Sequence, residues 1–270
     1  MIQTYTYEIK DVARYINWAY FYHAWGVTEK AQGSLRDDAS KMLDSIADHC
    51  RVSARVGLFE ANSDGDDIVI GETRLPMLRQ QTASKGDSAP MKCLADYVMP
   101  LSKGGKDTIG VFATTVEDDM TRQYRHDDYA RLLAQTLADR LAEAAAEVLH
   151  RHVRTTLWGY APHEDLTIEQ LHSEAFQGIR PAIGYPSLPD CSLNFIIDQL
   201  LNLGEIGIRL TPSGMMQPHA SVSGLMLSHP KAHYFDVGPI GEDQLRDYAR
   251  RRGLPTETMR KFLQANLMKR

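Results

Sequence analysis

The spacing of apolar positions changes several times along this chain, and each change predicts a new element. From Asp11, the segment DVARYINWAYFYHAW carries apolar and aromatic residues at helical spacing, with Asp11 placed to cap it. Ser34 is placed to cap a second helix, SLRDDASKMLDSIADHC. Its acids Asp37 and Asp38 then fall in the first turn, where the helix dipole favours negative charge. Residues 52–116 change to short β-rich runs: VSARVGLFEA, DDIVI and DTIGVFATTV. The first two read as a hairpin about the turn ANSDGDD, and QQTASKGDSAP reads as an exposed polar loop.

From about 118 to 155 the pattern predicts a long helix with an apolar stripe of Leu132, Leu133, Leu137, Leu141, Ala144, Ala145 and Val148. A helix near Thr167 follows, with Glu169 in its first turn, and then the irregular segment QGIRPAIGYPSLPD. A helix over SLNFIIDQLL, strand-like runs IGIRLTP, ASVSGLMLS and HYFDVGPI, and two short helices, EDQLRDYARRRG and TETMRKFLQANL, complete the chain. Strands and helices do not alternate regularly. The prediction is an α+β fold with a largely antiparallel sheet flanked by helices, rather than a doubly wound one. No repeat or low-complexity linker interrupts it.

Composition narrows the function classes. With 270 residues the chain can bury a sizeable core without staples. Asp and Glu number 35 against 30 Lys and Arg, and a net charge of −5 argues against a nucleic-acid surface. No apolar run approaches the ~18 residues of a membrane span. The start, MIQTYTYEIKD, lacks the basic-then-apolar order of a secretory signal. Cys50, Cys93 and Cys191 are scattered and cannot all pair, which points to a reduced, cytoplasmic compartment.

Several common sites are absent. No glycine-rich dinucleotide fingerprint follows a strand, and SKGGKDT lacks the earlier glycine of a P-loop. There is no GxSxG, HExxH or CxxC. Among the ten histidines, His150 and His152 fall on different helix faces, and His229 and His233 flank a proline; no metal site is expected.

Four features remain as candidate chemistry. In Gly178-Ile-Arg-Pro-Ala-Ile-Gly-Tyr-Pro186, two glycines and two prolines frame Arg180 and Tyr185. Arg180 suits a two-pronged grip on a carboxylate, and Tyr185 offers a ring face and a hydroxyl; a proline-braced connection with Arg180 paired to a local acid is the plainer alternative. Asp139, Glu143 and Glu147 lie four apart on the long helix. They read either as a solvated acidic stripe or, at Glu143 among Ala142, Ala144, Ala145 and Ala146, as a carboxylate that a ligand ammonium can approach. Tyr234, after the SHP turn, reads as core packing or as part of a site. Asn17 is the polar residue within an aromatic helix and can reach a ligand among the rings.

Together LRQQ, CLADYV, IGVFATT, ADRLAEAAAEVLH, WGYAPHED, GIRPAIGYP, ASVSGLMLSHP with Tyr234, and DQLRDYARRRG, in this order along the chain, resemble the activation domain of cobalamin-dependent methionine synthase. The resemblance runs from about residue 8 to 267 and implies that residues 1–270 form one such domain with a twisted sheet. Its parts would be a helical region at about 8–50, the long helix at about 118–155 and a ligand-binding part at about 178–240. The resemblance also implies a role in reductive reactivation. S-adenosylmethionine bound here supplies a methyl group to the reduced cobalamin of a partner module, in cis or in trans, after a flavodoxin-like or other reductase delivers an electron. By motif, Arg180, Ala182, Tyr185, Glu143, Tyr234 and Asn17 would contact S-adenosylmethionine, and Asp139 would face the cobalamin module. No general base, catalytic residue or metal ligand is assigned, because positioning an activated methyl donor suffices.

Two departures from the family pattern stand out. The family has an acid just before Trp18; here that residue is Asn17, so weakened or altered S-adenosylmethionine binding is expected. After GYP the chain reads SLPDCSLNF in place of a cysteine, proline and acid-histidine stretch, and SLNF is expected to reshape the mouth of the groove. The chain begins with Met and has no DxHxxG cobalamin motif, so it is expected to be unable to make methionine alone. A binding module without methyl transfer, or a reactivator of another corrinoid methyltransferase, are the competing expectations.

Overall fold

The computed structural model describes residues 1–82, 91–117 and 119–268. Strand β1 (Ile2–Glu8) runs directly into α1 (Ile9–Ala13), followed by α2 (Trp18–Trp25) and α3 (Glu29–Ile46). The long strand β2 (Arg51–Asp64) turns into β3 (Asp67–Ile70) and β4 (Thr73–Pro76), and β5 (Asp107–Val116) runs back along β2. A single turn, α4 (Asp119–Arg122), precedes α5 (Asp128–His152). Helices α6 (Ile168–His172) and α7 (Asn194–Leu201) come next, then the short β6 (Arg209–Leu210) and β7 (Met216–Gln217), then β8 (Ser221–Met226), α8 (Glu242–Arg252) and α9 (Thr256–Phe262).

The main sheet has the order β4-β3-β2-β5-β8, with β1 also paired to β2, and every strand pair in it is antiparallel. Side chains of a strand alternate between faces, and β5 feeds two cores. Phe112 and Val116 join the core beneath α1, α3 and α5, while Ile109, Val111 and Ala113 join the one beneath α7, α8 and α9. That double burial is why DTIGVFATTV reads as an almost unbroken apolar run. The expected α+β architecture with an antiparallel sheet and flanking helices is the observed one. Among the described residues, no helix is long and apolar enough to cross a membrane.

The local expectations fare unevenly. The hairpin holds, with Asp64 opposite Asp67 around a left-handed Gly65. The helix near Thr167 is capped by that residue, whose hydroxyl accepts from the Gln170 N–H. By contrast, the first helix is broken in two. Asp11 sits inside α1, and Asn17 caps α2 by accepting the Ala19 N–H at 3.2 Å. Ser34 lies within α3, which starts at Glu29 after Thr28. The long helix starts at Asp128, where the Asp127 carboxylate accepts the Ala130 N–H at 2.9 Å. Leu132 is 51% exposed and outside the apolar stripe. HYFDVGPI forms no strand, and IGIRLTP contributes only Arg209 and Leu210 to one. Most of the loop expected at QQTASKGDSAP, residues 83–90, lies outside the described residues.

Helix α5 carries the site, and its alanines set its position. Ala138, Ala142, Ala145 and Ala146 are buried against the sheet, and the Thr114 hydroxyl on β5 donates to the Ala142 carbonyl at 2.9 Å. Small side chains let the helix axis lie close to the strands, so Glu143 and Glu147 project beside the edge strand β8 rather than away from it.

Candidate functional site

The segment Gly178–Leu188 lies along the free edge of β8. Ile179 exchanges two backbone hydrogen bonds with Leu227, at 2.9 Å each. The Pro181 carbonyl accepts from Leu225 N–H at 3.0 Å, and Ile183 N–H donates to Ser223 at 2.9 Å. Pro181 has no N–H to give, but only its carbonyl faces the strand, so the edge position tolerates it. Gly178, at φ 85°, packs against the Leu227 carbonyl, and Gly184, at φ 89°, turns the chain so that Tyr185 leaves the sheet. The turn is tied from below by Val237 N–H to the Pro186 carbonyl (3.0 Å) and by Ser187 to the backbone of Phe235. HYFDVGPI, expected as a strand, therefore serves as a brace under the GYP turn.

A cavity of about 600 Å³ opens between this segment, α5 and the α1–α2 turn. Arg180, Ala182, Tyr185, Glu143, Tyr234 and Asn17 all line it. Tyr15, Tyr20 and Phe176 add apolar wall, and Arg140, Glu147 and Glu174 add charge. His172 closes one side, its Nε2 3.0 Å from the Tyr15 carbonyl.

Arg180 is the best-held cation in the cavity. Its backbone N–H donates to the Tyr234 hydroxyl at 2.8 Å and its Nη2 to Glu147 Oε2 at 2.8 Å, while its buried Nε has no hydrogen-bond partner among the described residues. Burial alone would loosen its proton, but Glu147, Tyr234 and Glu143 together hold it firmly charged. Arg180 thus has the local acid partner of the plainer alternative, with its Nε left over among the described residues. Glu147, read as part of a solvated stripe, is only 7% exposed and lies between Arg180 and Arg154. Tyr185 donates its hydroxyl to Glu143, and burial, followed by that carboxylate, keeps the phenol protonated well above its usual range. Burial likewise raises the Tyr234 phenol, against the opposing pull of Arg180.

Glu174 in the wall, and Arg154 and Glu164 behind it, went unrecognised in the sequence. Glu174 sits in left-handed backbone at φ 59°, ending α6 with bonds from its own N–H to Leu171 and from Ala175 N–H to Gln170. That position normally takes glycine or asparagine, and a residue bearing a β-carbon is strained there. Its carboxylate makes no hydrogen bond or ion pair among the described residues. Arg154 and Glu164, from HVRTTLWGY and APHED, form a buried two-pronged pair at 2.7 and 2.7 Å behind Glu147.

Asp139, expected to face a partner module rather than the ligand, lies outside the cavity lining, its carboxylate 3.3 Å from His219 Nδ1. One expectation moves. SLNF does not shape the mouth, because Ser192, Leu193 and Asn194 turn into the core and only Phe195 is exposed. Asp190 causes this: its buried carboxylate accepts from the Ser192 N–H and hydroxyl and from Tyr248, all at 2.8 Å. Among the described residues no group of His, Cys, Asp or Glu is arranged to hold a metal ion.

Comparison with known proteins agrees with this architecture. A solved structure of the MetH reactivation domain bound to AdoHcy matches with a TM-score of 0.93 at 38% sequence identity, over 100% of this chain and 91% of that one. The family model for the vitamin B12 dependent methionine synthase activation domain matches residues 8–253. The chain belongs to the family of vitamin B12-dependent methionine synthase activation domains.

Proposed function

We propose that this chain binds S-adenosylmethionine in the cavity between α5, the α1–α2 turn and residues 178–188, and so supports reductive reactivation of a cobalamin-dependent methionine synthase. One observation carries the reading: the six residues that motif resemblance assigns to the ligand converge on one cavity of about 600 Å³. The relative solved with AdoHcy adds weight, because AdoHcy is what S-adenosylmethionine becomes after losing its methyl group.

The chemistry of the wall suits this ligand. Arg180, with its Nε uncommitted, grips the amino-acid carboxylate. Glu143 and Glu174 offer negative charge to the ammonium and the sulfonium. Tyr20 and Phe176 give the adenine apolar faces. Asn17 accepts a hydrogen bond from the ammonium only through whatever capacity its Oδ1 keeps beyond the Ala19 N–H.

Cobalamin, carried by a partner module, supplies the reduced cobalt that accepts the methyl group. The sulfur–methyl bond breaks with its electron pair remaining on sulfur, so no proton moves and the chain needs no general base. Its residues hold the donor at one angle and distance, and positioning supplies the catalysis. Asp139, one helical turn from Glu143, would face the partner module. The whole chain acts as one such domain in the cytoplasm, with an electron from a flavodoxin-like or other reductase.

Mixing the chain with a cobalamin module, a reductant and S-adenosylmethionine tests the reading. The absorbance of methylated cobalamin should rise only with all components present. Ligand binding without methylation would instead favour a binding module, a reading that the cap role of Asn17 supports. Binding of neither ligand nor module would sink both.

A further inference from the structure

Arg154 is the largest fully buried side chain among the described residues, and it does not line the cavity. It lies in the π turn Val153–Leu157, where α5 widens and the Trp158 N–H reaches back to Val153 at 2.9 Å. Such widened turns recur at functional sites. Helical side chains lean toward the N-terminus, and a residue seven positions later lies on nearly the same face. Arg154 therefore reaches back to Glu147, its Nη1 3.8 Å from Glu147 Oε1. Glu164 holds its other side in a two-pronged grip, and the guanidinium stacks 4.1 Å above the centroid of Phe176. Glu147 Oε2 in turn accepts from Arg180. Charges thus alternate inward from Glu164 through Arg154 and Glu147 to Arg180 at the cavity wall.

A buried ion chain of this kind adds little to stability compared with apolar side chains of the same volume. Its geometry suggests another use. A carboxylate beside one arginine tends to take two parallel N–H bonds from it. Glu147 takes only one from Arg180; its second oxygen lies 3.8 Å from Arg154 Nη1, an ion-pair contact too long for a hydrogen bond, and neither of those two atoms has a hydrogen-bond partner among the described residues. We propose that Arg154 is a positioning residue: its charge beside Glu147 Oε1 keeps Glu147 from closing a two-pronged pair with Arg180, and so leaves Arg180 donors for the ligand carboxylate. This rests on the proposed S-adenosylmethionine reading.

The test compares two ligands, S-adenosylhomocysteine and 5′-methylthioadenosine, which share the thioether nucleoside but differ in the amino-acid part. Calorimetry on the full chain gives the ratio of their affinities. The wild-type chain should prefer S-adenosylhomocysteine; if it prefers neither, the functional reading fails and takes this inference with it. In the double variant Arg154→Met with Glu164→Gln, which leaves no unpaired carboxylate behind Glu147, that preference should fall by about tenfold while 5′-methylthioadenosine binding stays within about twofold. Glu164→Gln alone loosens Arg154 more gently and should lower the preference in the same direction, which keeps the test alive if the double variant does not fold. An unchanged preference in folded protein, or equal losses for both ligands, overturns the proposal.

Discussion

A β-carbon at Gly224 would lie 2.2 Å from the Pro181 carbonyl oxygen and 2.9 Å from Ala182 Cα. The strand that carries ASVSGLM is thus in backbone contact with the segment that presents Arg180 and Tyr185, and the glycine is required by that contact rather than by its own conformation. Gly224→Ala should push residues 180–185 off β8. Overpacking of this kind costs about 1–3 kcal/mol, and here the strain falls on the ligand wall. A lower unfolding midpoint together with weaker S-adenosylhomocysteine binding is expected. A variant that binds as tightly as wild type would show that the wall does not depend on this contact.

Asn17→Asp should strengthen S-adenosylmethionine binding. Aspartate caps a helix start as well as asparagine does, so α2 keeps its bond to Ala19 and stability should barely change. A charged acceptor gains about 1 kcal/mol over a neutral one, or roughly fivefold in affinity. Calorimetry on both proteins at equal salt checks this, and equal affinities would remove Asn17 from the ligand's contacts.

How far the sequence reached differs between fold and site, for physical reasons. Strand β5 was legible because double burial makes a run of apolar residues, and the hairpin because its turn residues are explicit. Strand β1 was passed over although TYTY alternates as a strand should, with β1 lying at the sheet edge. Segment 178–186 was legible because glycine and proline mark an unusual backbone. Glu147 was misread because acids four apart look the same whether they face water or buried arginines. Its partners Arg154 and Arg180 come from different elements, and no local pattern announces their meeting. Glu174 left no signal at all, since nothing in a sequence marks a glutamate that must adopt left-handed backbone.

His150 makes the fold sensitive to mild acid. It is fully buried, and burial, reinforced by Arg154 and Arg180, keeps the imidazole neutral well below its usual range. Below about pH 6.5 the unfolded chain takes up a proton there that the native chain does not. Stability contributed by the neutral ring is therefore present above that pH and lost as pH falls, with a slope approaching about 1.4 kcal/mol per pH unit for one proton. Denaturant melts between pH 7.5 and 5 should show a shallower fall for His150→Gln, which cannot take up that proton. Parallel curves for the two proteins would assign the acid sensitivity elsewhere.

Tyr248→Phe should separate fold from site. Tyr248 is 1% exposed and its hydroxyl donates to Asp190, whose carboxylate turns SLPDCSLNF into the core. Burial, followed by Asp190, keeps that phenol protonated far above its usual range, so the donor persists at every ordinary pH. Asp190 also has Ser192 and, at 3.4 Å, Arg252, so the carboxylate stays partly satisfied when the hydroxyl is removed. Loss of a bond to a charged acceptor costs about 1.5–3 kcal/mol, a drop of several degrees in unfolding midpoint for a chain of this size. Neither residue lines the cavity. Scanning calorimetry should therefore show the lower midpoint while S-adenosylhomocysteine titrations at 20 °C superimpose on wild type. Weaker binding without a lower midpoint would mean that the segment after GYP reaches the ligand after all.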